Sequence, residues 1–359
     1  MNTIVMWALA ISAVLGGLDK IFGNRLGLGK RFDDGFRLMG ILISGMLGII
    51  CLTPLLTRAL RFIFSPLLQK TGQDPAVLGG ILPIDMGGFQ LAAELAADKQ
   101  AGLFAGIFIA STFGCTIIFS IPVGFSMMKA ERRPAFLQGI LYGLIMLPLP
   151  LLAGGLYCGL TFGNACLQSL PILLMALVLA VGMSVKPRLM ISFFSFLAKF
   201  IEAVSIIGIL AALTEHLTGV SLLPSILPME EALTTAALCG LIMVGSLPFA
   251  EIINRILQKP LHALGRRIHM QDSGITALLL SPVSLSASFG VMHDCQDRDI
   301  VINAAFLVIA AGTFGPHLAV VTSNAPDLVT GFILIKVLSG LICIPAASFF
   351  LRKKDRKKA

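Results

Sequence analysis

The sequence predicts an all-α polytopic membrane protein, with about nine transmembrane helices, two re-entrant broken hairpins and an inverted structural repeat. Three observations carry that prediction. Of 359 residues, 56% are hydrophobic and 13% charged, with mean hydropathy +0.91, which is roughly half the ~25% charge of soluble domains. Apolar stretches of bilayer-spanning length, ~20 residues each, recur along nearly the whole chain. Two further apolar stretches are interrupted by proline, glycine and serine, at "ILPIDMGG" and "LLSPVSLSAS".

Taken in order, full crossings are expected at 3–22, 37–57, 100–127, 135–158, 166–185, 189–213, 232–253, 300–323 and 328–351, with the interrupted segments at 75–97 and 273–294. The stretch holding Arg58, Arg61 and Lys70 reads as an interfacial helix. Loop charge orients the chain, because cytoplasmic loops accumulate Lys and Arg. Arg25, Lys30, Arg31 and Arg37, then "KAERR", "KPR", the stretch Arg255 to Arg267 and the tail "RKKDRKKA" all belong on one side. Nine crossings satisfy this if each interrupted segment enters and leaves on one face. The N-terminus is then outside and the C-terminus cytoplasmic. The start reads as a first crossing rather than a cleavable signal, lacking a basic leader and an Ala-x-Ala site.

The net charge of +8 does not indicate a nucleic-acid partner, since six basic residues sit in the tail and others in short loops. The seven cysteines form no CxxC pair and read as free thiols, Cys158 and Cys166 alone flanking a common loop. No P-loop, GxSxG, HExxH or dinucleotide fingerprint is present, so neither catalysis, a cofactor, a metal nor ATP-driven pumping by this chain is expected.

The order of elements repeats. Pro54, Arg61, Pro66 and Leu67 recur as Pro248, Arg255, Pro260 and Leu261, each 194 residues later, and "STFG" at 111–114 recurs as "GTFG" at 312–315. Because 37–57 and 232–253 run in opposite directions, the repeats are inverted. The expected organisation is a first repeat over 1–160, a linking helix over 161–188, a second repeat over 189–351 and a basic cytoplasmic tail over 352–359. Inverted repeats with discontinuous helices are a transporter architecture that binds solute at the breaks.

At the first break stands Asp85. An acid inside a membrane segment costs about 2.5–3.5 kcal/mol or more unless paired or solvated. A carboxylate beside the carbonyl end of a half-helix suits a cation, and Gly87 and Gly88 would allow close backbone approach. Capping of the second half-helix is the alternative role for Asp85. The second break offers the hydroxyls of Ser281, Ser284, Ser286 and Ser288. Other polar candidates inside crossings are Glu202, Glu251, Asn303, His317, Asn324 and Lys336; Lys199 and Glu202 have the spacing of a helical ion pair.

"DMGGFQLAAELA" and "TIIFSIPVG" resemble the ethanolamine permeases of bacterial ethanolamine-utilisation operons, the EutH family. "FDDGFRLMG", "FLAKF", "VINAAF", "FGPHL" and "IKVLSGL" extend the resemblance nearly end to end. It implies inner-membrane uptake of ethanolamine, a two-carbon amino alcohol that is mostly ethanolammonium at neutral pH, with Asp85, Asn303, His317, Asn324 and Lys336 as matching positions. Two departures stand out: "SPVSLSASFG" replaces an expected pair of asparagines, and Glu202 and Glu251 replace expected apolar residues. The expected function is therefore permeation of ethanolamine or another small amine through the lipid bilayer, by alternating access or as a channel-like facilitator, possible homodimers included. A membrane amine sensor and an intramembrane enzyme are the rivals from other classes.

Overall fold

The computed structural model describes the backbone of residues 2–267 and 270–358, and every regular element among them is helical. Among the described residues, seven helical stretches are long and apolar enough to cross a bilayer: Thr3–Ile21, Leu28–Phe64, Lys99–Met127, Phe162–Val185, Pro187–Thr218, Met229–Pro260 and Pro326–Leu351.

Two expected crossings are not single helices. The one at 135–158 divides into α7 (Arg133–Ile145) and α8 (Pro148–Tyr157), bent by 40°. The one at 300–323 divides into α14 (Asp297–Ala310) and α15 (Pro316–Asn324). Gly312, with φ +64, and Pro316 account for this second break, since a left-handed glycine ends a helix and proline begins one. The separate interfacial helix after residue 57 is also absent. Instead α2 runs unbroken from Leu28 to Thr71, 44 residues, or about 66 Å at 1.5 Å per residue. Arg61 in its far half donates to the Glu94 and Leu95 carbonyls, a cation at the C-terminus of a short helix.

α1 (Asn2–Ile21), α2 and the similarly long α11 (Met229–Arg267) pack as one group, while α7, α14 and α16 (Val329–Lys358) form another. The span from α5 (Lys99–Phe104) to α6 (Ile121–Met127) packs among them and widens into π-helical turns over 105–114 and 116–120. Its central window is 94% buried, against 22% for α10 (Pro187–Thr218). The core is thus centred on the 99–127 span and α14, with one face of α2 and of α11 packed into it, while α10 and the helix Phe162–Val185 turn leucines, valines and phenylalanines outward.

Each interrupted segment folds as two short helices packed on one another, α3 (Ala76–Gly80) with α4 (Gly88–Leu95), and α12 (Asp272–Leu280) with α13 (Leu285–Met292). The first pair closes so tightly that a Cβ on Gly79 would lie 2.4 Å from the Ala92 nitrogen. Carboxylates tie the bases of both. Asp74 accepts from the amides of Ala76, Ala97 and Asp98, and Asp299 accepts from Gln271.

The two turns press against the Thr-Phe-Gly segments. A Cβ on Gly114 would sit 2.8 Å from the Leu82 carbonyl oxygen, and one on Gly315 would sit 2.3 Å from that of Val283. Removing the Asp74 carboxylate should therefore loosen the first pair. Asp74→Ala is expected to lower stability by about 2–3 kcal/mol, because each hydrogen bond to a charged group contributes ~1.5–3 kcal/mol and orphaned amides cost more. Thermal melting in detergent checks this, with Asp74→Asn expected to fall between the two.

Candidate functional site

The chain breaks at Ile81–Gly87 because Pro83 cannot donate, while Gly87 takes φ +84 between the short turn Ile84–Met86 and α4. A Cβ on Gly87 would meet the Ile49 side chain at 2.8 Å, and one on Gly88 the Leu82 carbonyl oxygen at 2.4 Å. Both glycines therefore serve the turn and its seating on α2. Asp85 does not cap α4, whose N-cap is Gly87 without any side-chain bond.

Asp85 instead lines a cavity of about 700 Å3 between α2, α6, α10 and this turn. That is many times the ~30 Å3 share of one liquid water, so a small hydrated solute fits. Ser44 and Gly45 of α2 and Ser126 of α6 face it. From α10 come Ser195, Lys199, Glu202 and Ser205, a polar stripe at helical spacing. No ion pair joins Lys199 to Glu202 in the structure. Two carboxylates thus share one chamber whose remaining walls are largely apolar. α2 and α10 cross at its edge: a Cβ on Gly208 would lie 2.3 Å from the Gly48 carbonyl oxygen, and the Ser205 hydroxyl donates to Gly45 at 3.3 Å.

A second cluster lies deeper. Lys336 of α16 is fully buried, and its Nζ lies 2.9 Å from the Ser111 carbonyl oxygen, 2.8 Å from that of Ala311 and 3.2 Å from His317 Nδ1. Nζ also lies 5.3 Å from the Phe332 ring centroid. An ammonium has three donors and no acceptor, so towards one the His317 Nδ1 can only accept. No ion pair joins Lys336 to Asp85.

The other expected site residues are placed elsewhere. Ser284 caps α13 by accepting from Ala287, and Ser286 is exposed. Ser281 and Ser288 donate to the Leu278 and Ala277 carbonyls. Asn303 holds the second hairpin to α14 through Gly274 and Asp299. Asn324 donates to Val320 and accepts from Gln90 of α4 at 3.4 Å. Glu251 pairs with Arg31 and Arg255, joining α11 to α2. All seven cysteines are free. Asp85 and Glu202 are brought together, as are His317 and Lys336, whereas the hairpin serines and Asn303 meet neither cluster. Ser44, Ser126, Ser195 and Ser205 were not singled out by sequence reading. The signal was the spacing of Ser195, Lys199, Glu202 and Ser205 along one helix face.

Fold and cavity together define a multi-pass membrane protein with a cavity holding two acidic residues and one lysine beside a broken helix. The family described as "Ethanolamine utilisation protein, EutH" matches residues 1–350, and the chain belongs to that family. It is 34% identical over 358 residues to a protein of Listeria monocytogenes serotype 1/2a (strain 10403S) named "Probable ethanolamine permease EutH", covering 99% of this chain and 96% of that one. A protein of Escherichia coli (strain K12) with the same name is 29% identical over 393 residues, covering 99% and 96% of the two chains. "Uncharacterized protein YxeR" of Bacillus subtilis (strain 168) is 34% identical over 358 residues, covering 99% and 97%. No solved structure matches the chain.

If the chamber admits small cations, Ser44→Cys and Ser195→Cys should react rapidly with a small cationic thiosulfonate. Asn303→Cys, beside the second hairpin and buried, should stay unmodified under the same conditions. Mass spectrometry of the labelled protein distinguishes the two, Cys166 providing the background.

Proposed function

We propose that this chain is a bacterial inner-membrane permease that takes up ethanolamine as ethanolammonium, with Asp85 holding the substrate ammonium. The observation that carries this reading is Asp85, an acid that lines the cavity at a helix break and does not cap the helix that follows. A carboxylate left in a largely apolar chamber favours a cationic guest that restores its lost hydration. Glu202 adds a second negative charge on the opposite wall, and the serines of α2 and α10 supply partners for a hydroxyl. The relatives' printed names agree with this substrate.

Alternating access is the proposed mechanism, with the two helix pairs as re-entrant hairpins of an inverted repeat, 1–160 against 189–351. The two turn contacts support the repeat: Leu82 with Gly114 and Val283 with Gly315 lie 201 residues apart at both ends, as do the two Thr-Phe-Gly motifs. The loop charges support an outside N-terminus and a cytoplasmic C-terminus.

Uptake of labelled ethanolamine into proteoliposomes tests the reading. Asp85→Asn is expected to cut uptake about 10–150-fold, the value of one charged hydrogen bond of ~1.5–3 kcal/mol, at unchanged folding. Glu202→Gln should raise KM with a smaller loss of maximal rate, being exposed on α10. Full activity in Asp85→Asn would remove the assigned site. Accelerated exchange with unlabelled substrate on the far side would favour a carrier over a channel.

A further inference from the structure

At the two Thr-Phe-Gly segments the regular helical ladder is lost inside the core, one span widening into π-helical turns and α14 ending, and a carbonyl oxygen from each is presented to Lys336. Ser111 begins one motif copy and Ala311 immediately precedes the other. Both carbonyls accept from Lys336 Nζ, and His317, the second residue of α15, supplies the third acceptor. The lysine comes from neither interrupted span, but from α16 packed beside them. Gly312 makes the arrangement possible: a Cβ there would lie 2.7 Å from His317 Nδ1. Two backbone carbonyls, one imidazole nitrogen and an aromatic face form a set that would bind a free monovalent cation or small alkylammonium.

We infer that Lys336 is a tethered cation, filling the site between the two helix breaks that an untethered coupling cation would otherwise occupy, and holding the breaks together while substrate binds at Asp85. Substrate and lysine then occupy separate places: all three donors of the lysine are used within the core, and the cavity lining includes Asp85 but not Lys336. Transport needs no sodium, because the charge that sodium would contribute at the crossing is already covalently present. Removing the side chain while leaving its space should convert the position into a genuine cation site.

The transport consequence rests on the permease reading, whereas the binding consequence does not. Uptake by the wild-type protein should be unchanged when all sodium is replaced by N-methylglucamine, and dependence on sodium would overturn the inference. For binding, Asp85→Asn is placed in every protein so that the cavity acid does not capture the probe. Methylammonium should then raise the melting temperature of Lys336→Ala but not of Lys336→Met, whose side chain refills the space without charge. Should Lys336→Ala fold poorly, methylammonium during purification should restore folded protein. An equal response of both variants, or a Lys336→Ala protein insensitive to methylammonium or unfolded with and without it, overturns the assignment. A wild-type protein that moves no ethanolamine would sink the permease reading alone, since the melting comparison stands without transport.

Discussion

Inside a bilayer, a backbone carbonyl or amide that leaves its helix must find a partner within the protein. The arrangement around the two Thr-Phe-Gly segments follows from that constraint. Where 105–120 opens into wide turns, the Thr112 and Thr116 hydroxyls bond back to the Phe108 and Thr112 carbonyls. Where α14 ends, the amides of Gly312 and Phe314 donate to the Ser281 and Pro282 carbonyls in the turn of the second hairpin. The remaining carbonyls, of Ser111 and Ala311, converge on Lys336. Each hairpin turn must therefore lie within hydrogen-bond or van der Waals reach of a break. Glycine at 114 and 315 is the residue that allows such an approach.

The same constraint explains where charge is found. Other charges meet solvent or each other, as in the part-buried Arg31 with Glu251 and the exposed Lys129 with Asp294, and exposed pairs like the second contribute little. Lys336, by contrast, has no water to fall back on and is fully bonded. Asp85 lies between these extremes, because the cavity leaves its carboxyl room for a guest. No ion pair joins it to Lys336.

Much of this was legible in the sequence. Hydropathy located the long spans, and proline with glycine located both breaks, since those residues act through the local backbone alone. The bend at 145–148 and the unbroken length of α2 were less legible, because propensity does not reveal whether a kink is absorbed or a helix continues past the hydrophobic zone. Among site residues, Asp85 announced itself as an acid at a break. The cavity serines did not, because a serine's role depends on which neighbour it faces. Lys336 illustrates the limit: an apparently misplaced cation in an apolar span could be flagged, but its three acceptors come from residues 19 to 225 positions away.

The departures from the family pattern acquire different meanings once placed. The serine-rich second hairpin seemed to weaken the case for an amino alcohol by removing two amides. Yet Ser281, Ser284 and Ser288 all satisfy backbone, and none of them lines the cavity. That substitution therefore bears on how the hairpin is built rather than on what the chamber holds. Glu251 is likewise spent, bridging α2 to α11 through two arginines. Glu202 is the departure that reaches the solute space. With Asp85 it gives the cavity two carboxylates beside the one ammonium of Lys199, a net negative lining. Of the serines lining the cavity, Ser44, Ser126 and Ser205 donate to backbone carbonyls, whereas no such bond engages Ser195 among the described residues.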